Sequence, residues 1–300
     1  MKSYQIKLPA TSANMGAGFD CLSVALSKYL KLKASLSDSL NITVAGKYAR
    51  GIVNSEHNLI FKVFKSVYNK LNPDKDIPSL TLVTDNDIPV EKGLGSSAAA
   101  ITGGIILAYL FSGINPEKDK IFAEAVNIEG HADNVGACVY GGMRVNKKIR
   151  DDEYVSVPFG IPYKMSAHLV IPDFSINTKK ARNILPSSYG REETVESLSS
   201  LAFVLASLKE GRWHNLKYCR DFIHEPYRLG LNETLHNLFD NLKQIDNSWV
   251  FLSGSGSTIV VMEKESEPLN AEKIKQIISS QDLSCEYEKI EIATEGAVWS

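Results

Sequence analysis

Glu91-Lys92-Gly93-Leu94-Gly95-Ser96-Ser97-Ala98-Ala99-Ala100 is the stretch on which the reading of the fold turns. Two glycines and two serines run into 98–110, small and apolar enough to predict a buried helix. Glycine at 93 and 95 strips side chains from a turn where backbone N–H groups can converge on an anion. Ser96 is expected as the N-cap, with the positive end of the helix behind it. A P-loop requires lysine after its last glycine, and here Gly95 is followed by Ser96 and Ser97, so that reading fails. Gly93-x-Gly95-x-x-Ala98 meets the loose dinucleotide pattern, but Asp85 to Pro89 separate it from the strand expected at 80–84. The tight strand-to-helix turn is therefore missing. The loop alone leaves a phosphate cradle and a plain cap on a small-residue core helix equally open.

Composition bounds the rest. Three hundred residues, 44% hydrophobic and 23% charged, describe an ordinary globular chain of one large or two smaller domains. A net charge of −2 excludes the overall basic excess of a nucleic-acid or anionic-membrane binder, so neither is expected as a partner. Cys21, Cys138, Cys219 and Cys285 lie far apart and form no C-x-x-C pair, which predicts reduced thiols in a cytoplasmic protein. The amino terminus lacks an apolar signal core, and the longest greasy run, 98–111, is too short to span a bilayer.

Along the chain, a strand is expected over 4–10, leading into Thr11-Ser12-Ala13-Asn14-Met15-Gly16-Ala17-Gly18-Phe19-Asp20, a loop suited to closing on a small polar ligand. Strands follow at 22–36 and 41–45. A helical stripe over 58–71 is stopped by Asn72-Pro73. A second helix from about 116 ends at Glu129 and meets Gly130-His131-Ala132-Asp133-Asn134-Val135. Zinc-protease spacing is absent there, and carboxylates with the Ser97 hydroxyl suit a hard cation such as Mg²⁺ shared with phosphates. From 143 the texture turns to strands, and a domain boundary is placed near 155. Helices are expected at 192–209, 212–219, 232–245 and 270–279, and a last strand at 284–292. Arg182 and Arg228 would grip a carboxylate bidentately if they met in space, a point on which the sequence is silent. Ser253-Gly254-Ser255-Gly256-Ser257-Thr258 is a second turn rich in N–H groups.

The three loops at 9–20, 89–100 and 253–258, in this order, resemble the three motifs of the GHMP kinases. Pro89-Val90-Glu91-Lys92-Gly93-Leu94-Gly95-Ser96-Ser97-Ala98-Ala99 is a specific form of the second. Pro9-Ala10-Thr11-Ser12-Ala13-Asn14 with Gly18-Phe19-Asp20, His131-x-Asp133-Asn134-Val135, Asn177-Thr178-Lys179-x-Ala181-Arg182 and Glu225-Pro226-Tyr227-Arg228 resemble the homoserine kinases in particular.

The resemblance implies an α+β fold of two domains. Residues 1–155 would be ribosomal-protein-S5-domain-2-like with a left-handed β-α-β crossover, and 156–300 ferredoxin-like. It implies ATP- and Mg²⁺-dependent phosphorylation of L-homoserine by a homodimer. By motif, Asn14 and Asp20 would hold the amino and hydroxyl end of the substrate, Arg182 and Arg228 its carboxylate, with His131 beside them. Residues 89–99 would bind ATP, Ser97 and Glu129 the metal (Glu124 being the fallback), with Asn134 and Thr178 near the reacting centre. Three positions depart from the motifs: Ser257 and Ala132 stand where proline is usual, and Gly16-Ala17-Gly18 where Gly-Pro-Gly is. Two rivals remain at this level, a GHMP kinase for another alcohol and a non-catalytic binder on the same fold.

Overall fold

The computed structural model describes residues 2–269 and 271–300. Its elements in chain order are β1 (Ser3–Ala13), β2 (Leu22–Leu36), β3 (Asn41–Ala45), α1 (Leu59–Leu71), β4 (Leu80–Asn86), α2 (Ser96–Phe111), α3 (Lys118–Glu129), α4 (Asp133–Tyr140), β5 (Met143–Arg150) and β6 (Glu153–Pro158). They continue with β7 (Met165–Pro172), α5 (Thr178–Asn183), α6 (Arg191–Glu210), α7 (Glu225–Leu229), α8 (Glu233–Leu242), β8 (Trp249–Leu252), β9 (Ile259–Lys264), α9 (Ala271–Ser279), β10 (Cys285–Glu291) and β11 (Val298–Trp299).

Strands β1 to β6 and β11 make one sheet, with β5 and β6 branching off the start of β2. β3 and β4 pair in parallel and are joined through α1, while the other pairs are antiparallel. The second sheet has the order β10-β7-β9-β8, which numbered along the chain is 4-1-3-2, the ferredoxin-like arrangement. The changeover falls between Pro158 and Met165. No helix among the described residues is long and apolar enough to cross a membrane.

Local chemistry explains the elements that carry the site. Pro9, which has no N–H for a ladder, sits where the β1–β2 register shifts, and the bulge redirects Ala10 to Ala13. α2 is buried on nearly every side, between the sheet and α1, α3 and α4, which explains its alanines and glycines and the lack of a polar stripe. Some expectations need correction. Ser96 is the first helical residue of α2 rather than its cap, which is Gly95 at φ 70°. The helix read at 212–219 is a 3₁₀ segment, Trp213–Tyr218. The one read at 232–245 closes at Leu242 with Asn232 as its cap. Residue 270, where a helix was expected to begin, lies outside the described residues.

Candidate active site

The glycine loop and the start of α2 form one wall of a cavity of about 360 Å³, within the ~300–1,000 Å³ usual for small-molecule sites. Gly93 (φ 78°) and Gly95 (φ 70°) are left-handed. A Cβ on Gly93 would lie 2.0 Å from the Ser253 carbonyl oxygen, and one on Gly95 would lie 1.9 Å from Thr11 Oγ1. These glycines therefore let the loop lie against its neighbours. With Gly95 as cap no side chain accepts from the first turn of α2, whose N–H groups are left for an anion at the positive helix end. Gly93, Leu94, Gly95, Ser96 and Ser97 line the cavity, as do Pro89, Val90 and Glu91. Ala98 and Ala99 are buried in the core, and Lys92 turns away. Its ammonium donates to the carbonyls of Pro172 and Asp173, at 2.7 and 2.6 Å, tying the loop to the end of β7.

The 253–258 turn joins the other loops. Ser253 Oγ donates to the Gly93 carbonyl at 2.7 Å, Thr258 N to that of Lys92 at 3.2 Å, and Gly254 N to that of Ala13 at 3.0 Å. Asn14 uses both ends of its amide within the protein, donating to the Gly254 carbonyl and accepting from Asp20 N, both at 3.0 Å.

Behind α2 lies a chain of charged groups. Ser97 Oγ donates to Glu129 Oε2 at 2.8 Å. His131 lies 3.9 Å from Glu129 Oε1 and 2.9 Å from Asp133 Oδ1. Burial alone would lower the His131 pKa, but the bond to Asp133 and the two carboxylates outweigh it and raise it. Burial alone would raise Asp133, but His131 and the Asn134 N–H, which donates at 2.7 Å, hold it low. Asn134 Oδ1 accepts from Thr11 Oγ1 at 2.8 Å, and Thr178 lies 3.3 Å from Ser255 Oγ across the cavity. Glu124, five residues before Glu129 on α3, is turned away, bonded to Tyr109 and Lys70.

Arg182 and Arg228 do meet, on Phe19, their guanidinium carbons 5.7 and 5.3 Å from its ring centre. They are not alike. Arg182 is half-buried and forks onto Asp20, at 3.0 and 2.7 Å. Arg228 is fully buried, which pulls its pKa down to about 10. Its Nε and Nη1 donate to the carbonyls of Ala181 and Gly254, at 3.3 and 2.7 Å. Both arginines line the cavity, and Asp20 reaches it through Arg182.

Beneath Phe19, buried His224 donates from Nε2 to the Gly16 carbonyl at 2.9 Å and takes Arg228 Nη1 on Nδ1 at 3.3 Å. That pattern requires the neutral ring, and burial pulls its pKa from 6.5 to about 4. The unfolded chain protonates first, so this group's contribution is full above 6.5 and lost as pH falls through about 4. Glu225, pushed up to about 7 by burial, has the opposite sign: its contribution is full below 4.5 and lost as pH rises through about 7. Urea unfolding of wild type and His224→Gln separates the two. Between neutral pH and pH about 4.5, wild type should lose on the order of 2 kcal/mol more than the variant. Equal slopes would rule out a neutral His224.

Sequence reasoning missed the apolar part of the cavity lining supplied by Leu30, Ile52, Val53 and Leu59. The loop before α1 carries no motif of its own. Its one signal is Asn58, which caps α1 by accepting from Ile60 N at 3.0 Å. Phe19 was also unassigned, although it stands beside Asp20 in the same loop.

This fold, with a glycine loop on a buried helix braced by two further loops, defines the GHMP kinase class, and the model of the GHMP kinase N-terminal domain matches residues 58–142. A homoserine kinase of Clostridium botulinum is 33% identical over 296 residues, 98% of this chain and 97% of that protein. One of Solibacter usitatus is 34% identical over 94% of each. The crystal structure of homoserine kinase from Cytophaga hutchinsonii superposes with a TM-score of 0.82 at 24% identity, covering 100% of this chain and 98% of that one. The chain belongs to the homoserine kinase family.

Proposed function

We propose that the protein transfers the γ-phosphoryl group of ATP to the side-chain hydroxyl of L-homoserine, giving O-phospho-L-homoserine for threonine synthesis. The observation that carries this reading is the pairing of two features on one cavity. One is the uncapped positive end of α2; the other is Arg182 in the lining of the same cavity, with Asp20 paired to it. The first fits a polyphosphate. The second fits an α-amino acid zwitterion, whose carboxylate takes Arg182 while its ammonium takes Asp20.

The donor set fits the expected ion. Ser97 Oγ and Glu129 supply two hard oxygens, and among the described residues no three His, Cys, Asp or Glu side chains gather as a metal site. A Mg²⁺ held there takes its remaining ligands from phosphate and water and neutralises charge on the transferred group. Of the carboxylates lining the cavity, Glu129 and Asp133 are engaged by donors within the protein, as is Asp20 behind Arg182, while Glu91 belongs to the nucleotide loop. Positioning and charge stabilisation, rather than a strong base, therefore carry the rate in this reading. Asn134, fixed by Thr11, and Thr178 flank the hydroxyl; Asn14 and His131 hold the substrate side in shape. The boundary expected near 155 falls within β6, so in this reading the nucleotide-side domain runs through Pro158 and regains β11 at the end of the chain, with the second domain between them, in a cytoplasmic homodimer.

ADP release with Mg-ATP and L-homoserine, L-threonine, mevalonate or galactose tests the reading. Turnover on homoserine alone is expected. Turnover on another alcohol would keep the kinase and discard the amino-acid clamp, and silence with ATP still bound would favour a binding protein.

A further inference from the structure

We propose that Glu286, on β10 of the second sheet, is a positioning residue for the nucleoside part of the nucleotide, acting through the turn that begins at Lys47 and Tyr48. The proposal rests on the kinase reading above and adds to it a residue that belongs to none of the three loops. In that reading the triphosphate takes the positive end of α2 and the amino acid takes Arg182. Gly51, Ile52, Val53 and Leu59 are lining that neither of those charged groups calls for, and an uncharged nucleoside is what remains to occupy it.

The alternation of β10 brings its acids to the first sheet. Successive strand side chains face opposite ways. Tyr287 meets His168 Nδ1 at 2.7 Å on one face, while Glu286, Glu288 and Ile290 share the other, where Ile290 is buried. Glu288 accepts from the buried Lys28 at 2.7 Å, and the same ammonium lies 3.5 Å from Asp87. Ser27 Oγ accepts from Glu291 N at 3.0 Å. These contacts fix β10 against β2. Two residues along, Glu286 pairs with Lys47 and accepts from Tyr48 Oη at 2.8 Å. Burial alone would raise the Glu286 pKa, but Lys47 and Tyr48 hold it low, so the acceptor is an anion.

The turn carries that anchorage into the cavity. Tyr48 N donates to the Asn86 carbonyl at 3.1 Å, and its own carbonyl accepts from Asn86 Nδ2 at 3.2 Å. Ile52 N donates to the Ala49 carbonyl at 3.2 Å, and Asn58 Nδ2 holds the Val53 carbonyl at 2.7 Å. The wall of Gly51, Ile52 and Val53 is thus pinned at both ends, and β10 supplies part of one pin. Lys47 is half-exposed, so its ion pair contributes little to stability, and its effect is on placement.

Steady-state kinetics with ADP and inorganic tripolyphosphate as inhibitors competing with ATP test the proposal. Glu286→Ala should raise the KM for ATP and the Ki for ADP roughly tenfold, the loss of one hydrogen bond to a charged group. The KM for homoserine, kcat at saturating ATP and the Ki for tripolyphosphate, which has no nucleoside, should stay within about twofold. Tyr48→Phe keeps the ring; it should raise the same two constants and add little to Glu286→Ala. Glu286→Gln, which still offers Tyr48 an acceptor, should recover most of the nucleotide affinity. Unchanged nucleotide constants in both Glu286→Ala and Tyr48→Phe would overturn the proposal alone. So would a tripolyphosphate Ki that rises in step with that of ADP, the mark of general damage to the site. A wild type without affinity for ATP or ADP would overturn the kinase reading and this proposal with it.

Discussion

Replacing Arg182 by alanine is expected to lower kcat/KM for L-homoserine roughly thirty- to thousandfold, the ~2–4 kcal/mol of an unpaired charge at a closed interface. The KM for ATP and the melting temperature should barely move. Stability is spared because the Arg182–Asp20 pair is more than a third exposed on both sides in the free protein, where such a pair contributes little. Recognition is not spared, because a bound amino acid would exclude water from the same guanidinium. Asp20→Asn supplies the complementary test. It should damage homoserine more than 4-hydroxybutyrate, which keeps the carboxylate and lacks the amine. An Arg182→Ala enzyme with unchanged homoserine recognition would sink the clamp.

Glu129→Ala should cut kcat by about 10²–10³, the cost of removing one group that stabilises transition-state charge. Homoserine affinity should be kept, since Glu129 faces Ser97 and the phosphate side of the cavity. Glu124→Ala is the control, because that carboxylate is held by Tyr109 and Lys70 away from the cavity. Measuring kcat against Mg²⁺ concentration separates a lost ligand from a disturbed helix: a lost ligand shifts the Mg²⁺ dependence, whereas a fold defect lowers activity at every concentration. A normal Glu129→Ala enzyme beside an inactive Glu124→Ala one would reverse the assignment.

Much of this molecule was legible without coordinates because its causes are local. The stripe of α1 and its Asn72-Pro73 stop lie within one short segment, and the 22–36 strand was read to its ends, although Asn58, read as helical, is the cap. The three loops were identifiable because small residues at close spacing are the chemistry such turns require. Local sequence was silent wherever the partner is far along the chain. Gly93 and Gly95 looked like room for a ligand, yet their missing side chains leave room for Ser253 and Thr11. Lys92 read as part of the nucleotide loop, but its ammonium is held by the carbonyls at the end of β7.

The choice between Glu124 and Glu129 shows the same division. Both stand on one amphipathic helix five residues apart, so they point in different directions, and only the packing of α3 against α2 decides which meets Ser97. The orientation of α6 is another case. A helix over 192–209 was evident, but that its serines face inward follows from unpaired N–H groups at 220 and 222, a need no pattern within the helix expresses. Sequence alone determined most of the long elements and where the three loops fall, because propensity and turn chemistry act over a few residues, whereas α4 and β11 showed only in the fold. Tertiary structure decided which charges meet, such as Asp20 with Arg182 across 162 positions, because those pairings depend on how the two sheets are brought together.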